Sequence, residues 1–322
     1  MKAHLLDYVI AFVLILSMNF ALPRLMPGDP LSAIYGEEAM LQMDTEARAK
    51  LVDRFELDEP VWKQFATYLA RLATGDLGYS FYHKAPVLTV ILRYLPWTLL
   101  LVGTAFLLAS GLSLLAGVEA GWHRGALIDR GFTVSFMALS GFPSFFVGAL
   151  LLLVFGVLLG VLPLQGARTP YASLTGLAAV RDVLTHLVLP LTSLVLVYMP
   201  GMYLVTRNSL VSAADKPYVL TAHAKGLSPG RVRYHHVGRN ALLPVVTAMG
   251  IMLATRVVTG ALFVEIVFSY PGMGSLIRQA LVNRDYPVLQ GALLMTAALV
   301  LGINLSVDVL YRRLDPRVGH AH

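Results

Sequence analysis

The sequence predicts an all-α membrane protein with six transmembrane helices. Three observations carry that prediction. The 322-residue chain is 57% hydrophobic and only 14% charged, where soluble domains carry about 25% charged residues. Six apolar runs are long enough to cross a hydrocarbon core, which takes about 20 helical residues. Lys and Arg gather in alternate connecting segments, as the positive-inside rule requires. The same bias explains the net charge of +6 without nucleic acid. The chain has no cysteine, so disulfides and thiolate metal sites are excluded.

The six spans are placed at residues 5–22, 97–118, 132–162, 184–206, 242–268 and 288–310. The first resembles a signal peptide in length. Pro23, Arg24 and Pro27 follow it where small residues would mark cleavage, so a retained helix is expected. The third run is overlong and must tilt or break, and Pro143 with Gly141 and Gly148 supplies a reason for a kink.

With the N-terminus inside, the cytoplasmic segments hold twelve Lys and Arg and the two short outer loops hold four. Both termini are therefore expected in the cytoplasm. Residues 27–96 form an outer region with ten acidic and seven basic residues. MPGDP (26–30) and GDLGYS (75–80) read as turns. A helix is expected from Asp44 or Thr45, carrying Leu51 and Phe55. Another follows Pro60, with Val61, Phe65, Leu69 and Leu72 at helical spacing. Residues 87–95 read as an amphipathic lead-in at the membrane interface. The outer loop 163–182 is read as lacking a regular core. The loop 269–287 is rich in turn signals, SYPGMG and NRDYP among them. The region 27–96 reads equally as a cap on the helix ends or as a docking surface for an external partner.

One cytoplasmic stretch, residues 215–244, is polar and basic between two apolar runs. Two short helices are expected in it. Asp215 can cap the first and Gly226 can end it in a left-handed conformation. Ser228 can cap the second, with Pro229 at the first helical position. Tyr218 and Leu220 offer apolar anchors of the kind that dominate interfaces. Thr221, Ala222 and Gly226 are small enough to let a partner approach the backbone. Lys225, Arg231, Arg233 and Arg239 can meet acidic groups on a partner or lipid phosphates.

The chain carries no G-x-x-x-x-G-K-[ST], so it has no phosphate loop of that type, and no H-E-x-x-H. His235 and His236 are adjacent and do not share a helix face. Ser140, Ser144 and Ser193 have no His and acid at a readable spacing. Asp7, Glu119 and Asp308 fall near span ends, where hydration is available. Arg256 and Glu265 lie deeper, nine residues apart and so on roughly opposite faces. Ionisable groups inside a span are costly and mark functional paths. Arg256, Glu265 and Pro143 are the candidates for the path or its gate.

Several motifs point the same way. They are MPGDP; GDLGYSFYHKAPV (75–87) with LPWTL (95–99); SGFPSFFVG (140–148); and HLVLP (186–190). TAHAKGLSPGRVRYHHVGRNALLP (221–244), EIVFSYPGMG (265–274), NRDYP (283–287) and NLSVDVLYRRLDPR (304–317) complete the set. In this order, over almost the whole chain, they resemble the inner-membrane permease subunits of ABC importers, in the dipeptide/oligopeptide/nickel branch. The resemblance implies a type I importer permease fold with an extracytoplasmic helical insertion after the first helix. It divides the chain into a first helix (1–26), an outer helical region (27–96), a five-helix core (97–310) and a cytoplasmic tail (311–322). Within the core, residues 207–241 correspond to the EAA loop, whose first helix docks on an ATPase. The coupling residues would be Tyr218, Leu220, Thr221, Ala222, Lys225, Gly226 and Leu227. The three signature positions fall on Leu220, Thr221 and Ala222, and only Ala222 matches the general Glu-Ala-Ala pattern.

The resemblance further implies a bacterial or archaeal inner membrane, a second homologous permease, two ABC ATPases and an extracytoplasmic substrate-binding protein. ATP and magnesium would be bound by the ATPases, with no cofactor or metal in this chain and no enzymatic step of its own. Peptide import is the leading expectation. Nickel, metal-chelate or oligosaccharide import is the alternative within the family. An ion-driven secondary transporter is the alternative outside it, and the sequence shows no internal repeat of the kind such transporters carry.

Overall fold

The computed structural model describes residues 2–25, 41, 43–46, 48, 59–80, 82–253 and 258–314. It falls into two compact units, Met1–Thr98 with Pro271–Leu301 and Leu99–Tyr270 with Gly302–His322. Helices dominate both. The expected MPGDP turn and most of the helix expected after Asp44 lie outside the described residues.

The first unit opens with α1 (Lys2–Leu25). Helix α2 (Val61–Ala73) begins where extended Pro60 releases the chain. Phe20 of α1 meets Phe65 and Tyr68 of α2, with ring centroids 5.1 and 5.5 Å apart. The GDLGYS turn forms as expected, with φ of +76° at Gly75 and +95° at Gly78. Arg71 donates to Asp76, whose other oxygen accepts the Gly78 N–H at 3.0 Å. The turn delivers the chain to a two-residue hairpin, β1 (Tyr79–Ser80) against β2 (Ala85–Pro86), antiparallel.

Helix α3 (Val87–Trp122) starts at once after β2. Its first turns pack one face against protein. Val87, Val90 and Ile91 are buried among Met273, Leu276, Ala280, Val288 and Ala292. Periodicity showed an apolar face but not what would cover it. The cover comes from α11 (Met273–Val282) and α12 (Tyr286–Leu314). Helix α11 is a correction, since residues 269–287 were read as loop. Its flanks are turns, but Leu276 and Ala280, four apart, seat ten helical residues on the core. Asn19 of α1 and Gln290 of α12 donate to each other's main-chain carbonyls at 2.9 and 2.7 Å.

The second unit takes the rest of α3, then α4 (Leu127–Ser140) and α5 (Ser144–Leu151), which continues as a π-helical stretch, Leu152–Leu158. The overlong third run does break. Its halves meet at 101° across Gly141, Phe142 and Pro143. Helix α6 (Gly176–Ala214) starts eight residues before the expected span and absorbs part of the outer loop. It carries Pro190 and Pro200 in its interior, which membrane helices tolerate where neighbours satisfy the freed backbone groups. Then come α7 (Pro217–Ala224), α8 (Pro229–Arg231), a π-helical turn Val232–Gly238, α9 (Arg239–Met252) and α10 (Val258–Val267).

Among the described residues, three helices are long and apolar enough to cross a membrane: Val87–Trp122, Gly176–Ala214 and Tyr286–Val309. The bent pair makes up to four. At 36 and 39 residues, α3 and α6 are each over 50 Å long at about 1.5 Å per residue. They outreach a hydrocarbon core of about 30 Å.

Small residues bring α3 against α6. A Cβ on Gly117 would stand 2.6 Å from Thr206 Cβ, and one on Gly121 would stand 3.0 Å from the Arg207 carbonyl oxygen. Gly117 and Gly121 are the two glycines of a G-x-x-x-G pattern, which lets membrane helices approach closely. Ser113 of α3 donates to the Met199 carbonyl of α6 at 3.2 Å.

Candidate functional site

The stretch after α6 forms a folded loop around its own apolar cluster. Leu210, Ala213, Val219, Ala222, Val232, Val237 and Ala241 are buried together, with Trp122, Tyr218 and Leu227 packed against them. Asp215 is not the cap of α7, contrary to expectation. It closes α6, and extended Lys216 holds the N-cap position without a side-chain bond. The reason is Pro217. Its fixed φ and missing N–H suit the first helical position, so the helix starts there.

The end of α7 is as expected. Gly226 takes φ +72°. Its N–H bonds the His223 carbonyl at 2.9 Å, and the Leu227 N–H bonds the Ala222 carbonyl at 3.4 Å. This pair of bonds, with Leu227 packed on the cluster that holds Ala222, is a Schellman ending. Ser228 and Pro229 take the N-cap and first helical positions of α8, although the Ser228 hydroxyl makes no cap bond. The second helix is not short. It runs through the π turn into α9.

The coupling candidates divide between two faces. Ala222 is 5% exposed. Tyr218 is half-buried, with its hydroxyl donating to the Ala213 carbonyl at 3.2 Å, and Leu227 is half-buried beside it. These three pack on the chain's own apolar cluster. Leu220 is 76% exposed. Thr221, Lys225 and Gly226 are exposed with it. Pro217, Leu220, Thr221 and Ala224 recur at helical spacing as one outward stripe of low polarity. Beside it lies a groove of about 620 Å³, lined by Lys216, Pro217, Tyr218, Asn208, Asn240 and Pro244 among others.

Of the basic residues, Arg233 is turned inward. Its Nη1 donates to Glu119 Oε2, and the Tyr234 hydroxyl donates to Glu119 Oε1. The guanidinium stands 5.7 Å from the Trp122 ring centre and 5.1 Å from that of Tyr234. Glu119, expected only as an interfacial residue, is thus a partner of the loop. The clue was its place inside the G-x-x-x-G pattern, which fixes where that end of α3 must pack. A second ion pair ties α6 to α4. Arg207 grips Asp129 with Nε at 2.6 Å and Nη2 at 2.7 Å. Asp129 is 3% exposed and also accepts the Gly125 N–H at 2.9 Å.

Two of the three path candidates fall among the described residues. Pro143 is exposed at the break before α5. Glu265 lies in α10 with no exposed surface, as a carboxyl in a membrane helix must when it faces protein rather than lipid. Arg256 lies outside the described residues.

Comparison with known proteins follows the same lines. Residues 109–320 match the family described as binding-protein-dependent transport system inner membrane component. The chain is 36% identical over 317 residues to the di/tripeptide transport system permease protein DppB of Pseudomonas aeruginosa strain UCBPP-PA14, covering 94% of this chain and 93% of that protein. It is 34% identical over 305 residues to the oligopeptide transport system permease protein AppB of Bacillus subtilis strain 168, covering 94% and 93%. Among solved structures, inward facing conformations of the MetNI methionine ABC transporter superpose with a TM-score of 0.56 at 18% identity, covering 70% of this chain and 96% of that one. That likeness is one of fold, the type I importer permease fold.

Proposed function

The chain belongs to the family of binding-protein-dependent transport system inner membrane components, and on that premise we propose that it is the permease subunit of an ATP-driven importer of short peptides. As a member it is a multi-pass inner-membrane protein of an ABC importer. In our reading it crosses the membrane six times with both termini in the cytoplasm, and residues 27–96 stand outside. It forms half of a translocation path with a second, homologous permease. Two ATPase subunits hold ATP and magnesium, and an external binding protein delivers the peptide. The chain itself changes no bond in its cargo.

The observation that carries this reading is the construction of α7. A free-standing polar loop would have no reason to keep a fixed shape. This one is braced from within by Val219 and Ala222 and ended by a Schellman motif, yet it leaves Leu220 76% exposed. An exposed apolar side chain on a rigid, short helix is suited to seat in a groove of another subunit. Docked there, α7 passes the closing and opening of the ATPase pair into the membrane helices. ATP then stabilises one of two states of the path over the other, which is what alternating access requires. The relatives' names favour di- and oligopeptides over nickel chelates.

Uptake of labelled dipeptide into vesicles holding the full importer tests the reading. Uptake is expected with binding protein and ATP inside, and none without ATP. Uptake by the purified chain alone, independent of ATP, would overturn it.

A further inference from the structure

We infer that Glu119, at the end of α3, is the positioning residue that passes movement of the α7–α9 loop to the membrane helix α3. The inference rests on the proposed docking of α7 on an ATPase. Its carboxylate is where the loop is held to an element that does not adjoin it in sequence.

The loop is joined to α6 and α9 through the chain itself. Among the described residues, its other ties to the unit include two kinds. One is the apolar cluster under α7, and apolar contact is non-directional, so it resists sliding weakly. The other is electrostatic. Arg124 and Asp215 approach to 3.8 Å, with side chains 65% and 74% exposed. A pair so open to water holds little. Arg233 and Glu119 are 19% and 30% exposed, and the contact is directional. Tyr234 donates to the other carboxylate oxygen, so both oxygens are engaged from the π turn. Trp122 covers the guanidinium at 5.7 Å and reaches on toward His223 of α7, with ring centres 6.5 Å apart. Arg233 Nε finds no acceptor among the described residues, so Glu119 is what anchors the cation.

The receiving end is built to move as a body. Glu119 sits between Gly117 and Gly121, whose missing side chains let α3 lie directly on α6 at Thr206 and Arg207. A shift of the π turn therefore acts on a helix end that is already wedged against α6. Within this unit, α3 carries that displacement back from Glu119 toward Leu99. The π geometry matters too. One extra residue in the turn sends Val232 and Val237 into the cluster while Arg233 and Tyr234 face α3.

The test uses the whole importer reconstituted in liposomes, with assembly checked by co-purification of the ATPases. Three variants are compared, Glu119→Ala, Arg233→Ala and the double. Each single is expected to assemble and to lower peptide transported per ATP hydrolysed by about fivefold or more, the scale of a coupling effect. The double is expected to be no worse than the poorer single, because both break one contact. Glu119→Gln, which keeps the acceptor and the size, is expected to recover part of the loss. Transport and hydrolysis falling in step with the amount of assembled complex would make Glu119 a mere brace and overturn the inference, as would an unchanged ratio. Leu220→Asp separates the two ideas. If it abolishes ATPase binding while Glu119→Ala leaves the ratio intact, this inference alone fails. If it leaves ATPase binding and stimulated hydrolysis intact, the docking reading fails and takes the inference with it.

Discussion

Replacing Gly117 by Ala adds one methyl group at the point where α3 and α6 lie closest. The new Cβ would stand 2.6 Å from Thr206 Cβ, 2.7 Å from its Cγ2 and 3.1 Å from the Arg207 nitrogen. None of these is the free end of a flexible side chain. Thr206 is held in its rotamer by donation from Oγ1 to the Met202 carbonyl at 2.8 Å. Ordinary carbon contact begins near 3.5 Å, so the helices must part by about 1 Å. Overpacking of this size costs about 1–3 kcal/mol. Gly111 lies six residues earlier on the same helix, and a Cβ there meets nothing within 4 Å. Gly111→Ala should be neutral or stabilising by about 0.5–1 kcal/mol, since Ala restricts the unfolded chain more than Gly. Reversible denaturation in mixed micelles measures both. A loss in Gly117→Ala beside no loss in Gly111→Ala supports the packing. Equal stability of the two variants would refute the close approach of α3 to α6.

Arg207→Ala leaves the Asp129 carboxylate buried without its cation and should lower unfolding stability by about 3 kcal/mol. The double Asp129→Asn, Arg207→Met keeps the acceptor for the Gly125 N–H and should recover most of it in the same denaturation assay. A double no better than the single would argue against the pair. Asp285, outside the spans, is 5% exposed, and burial raises its carboxyl above the usual carboxylate range, partly offset by donation from the Ser80 hydroxyl and the Val288 N–H and by electrostatic attraction to the nearby His83. A pKa raised in the folded state adds stability that is complete below the unfolded value of about 3.9 and is lost as pH rises through the folded value. Asp285→Asn should therefore gain on the parent as pH is raised from about 4. A gap that is constant or shrinks with pH would contradict the assignment.

The apolar runs were readable because length and composition alone decide whether a helix can cross lipid. The end of α7 was readable too, because a left-handed Gly226 and the Ser228–Pro229 start are local signals. The cap at Asp215 failed because a stronger local signal, Pro217, stood two residues on. What covers residues 87–95 was hidden for a different reason. Their apolar face was plain, but the residues that bury it, Leu276 and Val288, come nearly two hundred positions later. Helix α11 was hidden by the turns on either side of it. Within the loop, sequence marked which residues were small or apolar but not which way they faced. Nothing in the sequence marks that Ala222 packs inward with Val219 or that the Tyr218 hydroxyl reaches the Ala213 carbonyl. Glu119 was missed because a carboxylate near a span end looks adequately hydrated until its cation is seen across the fold.

The central claim is that the outward stripe of α7 meets an ATPase, and the absence of cysteine makes a direct measurement possible. A single Leu220→Cys replacement gives one reactive thiol at the most exposed apolar position of α7. A short bifunctional or photoactivated reagent on that thiol, used in the assembled importer, should link this chain to the ATPase subunit in high yield. A matched Val134→Cys on α4, 67% exposed, serves as the control and should not. A link from position 134 to the ATPase with none from position 220 would contradict the account.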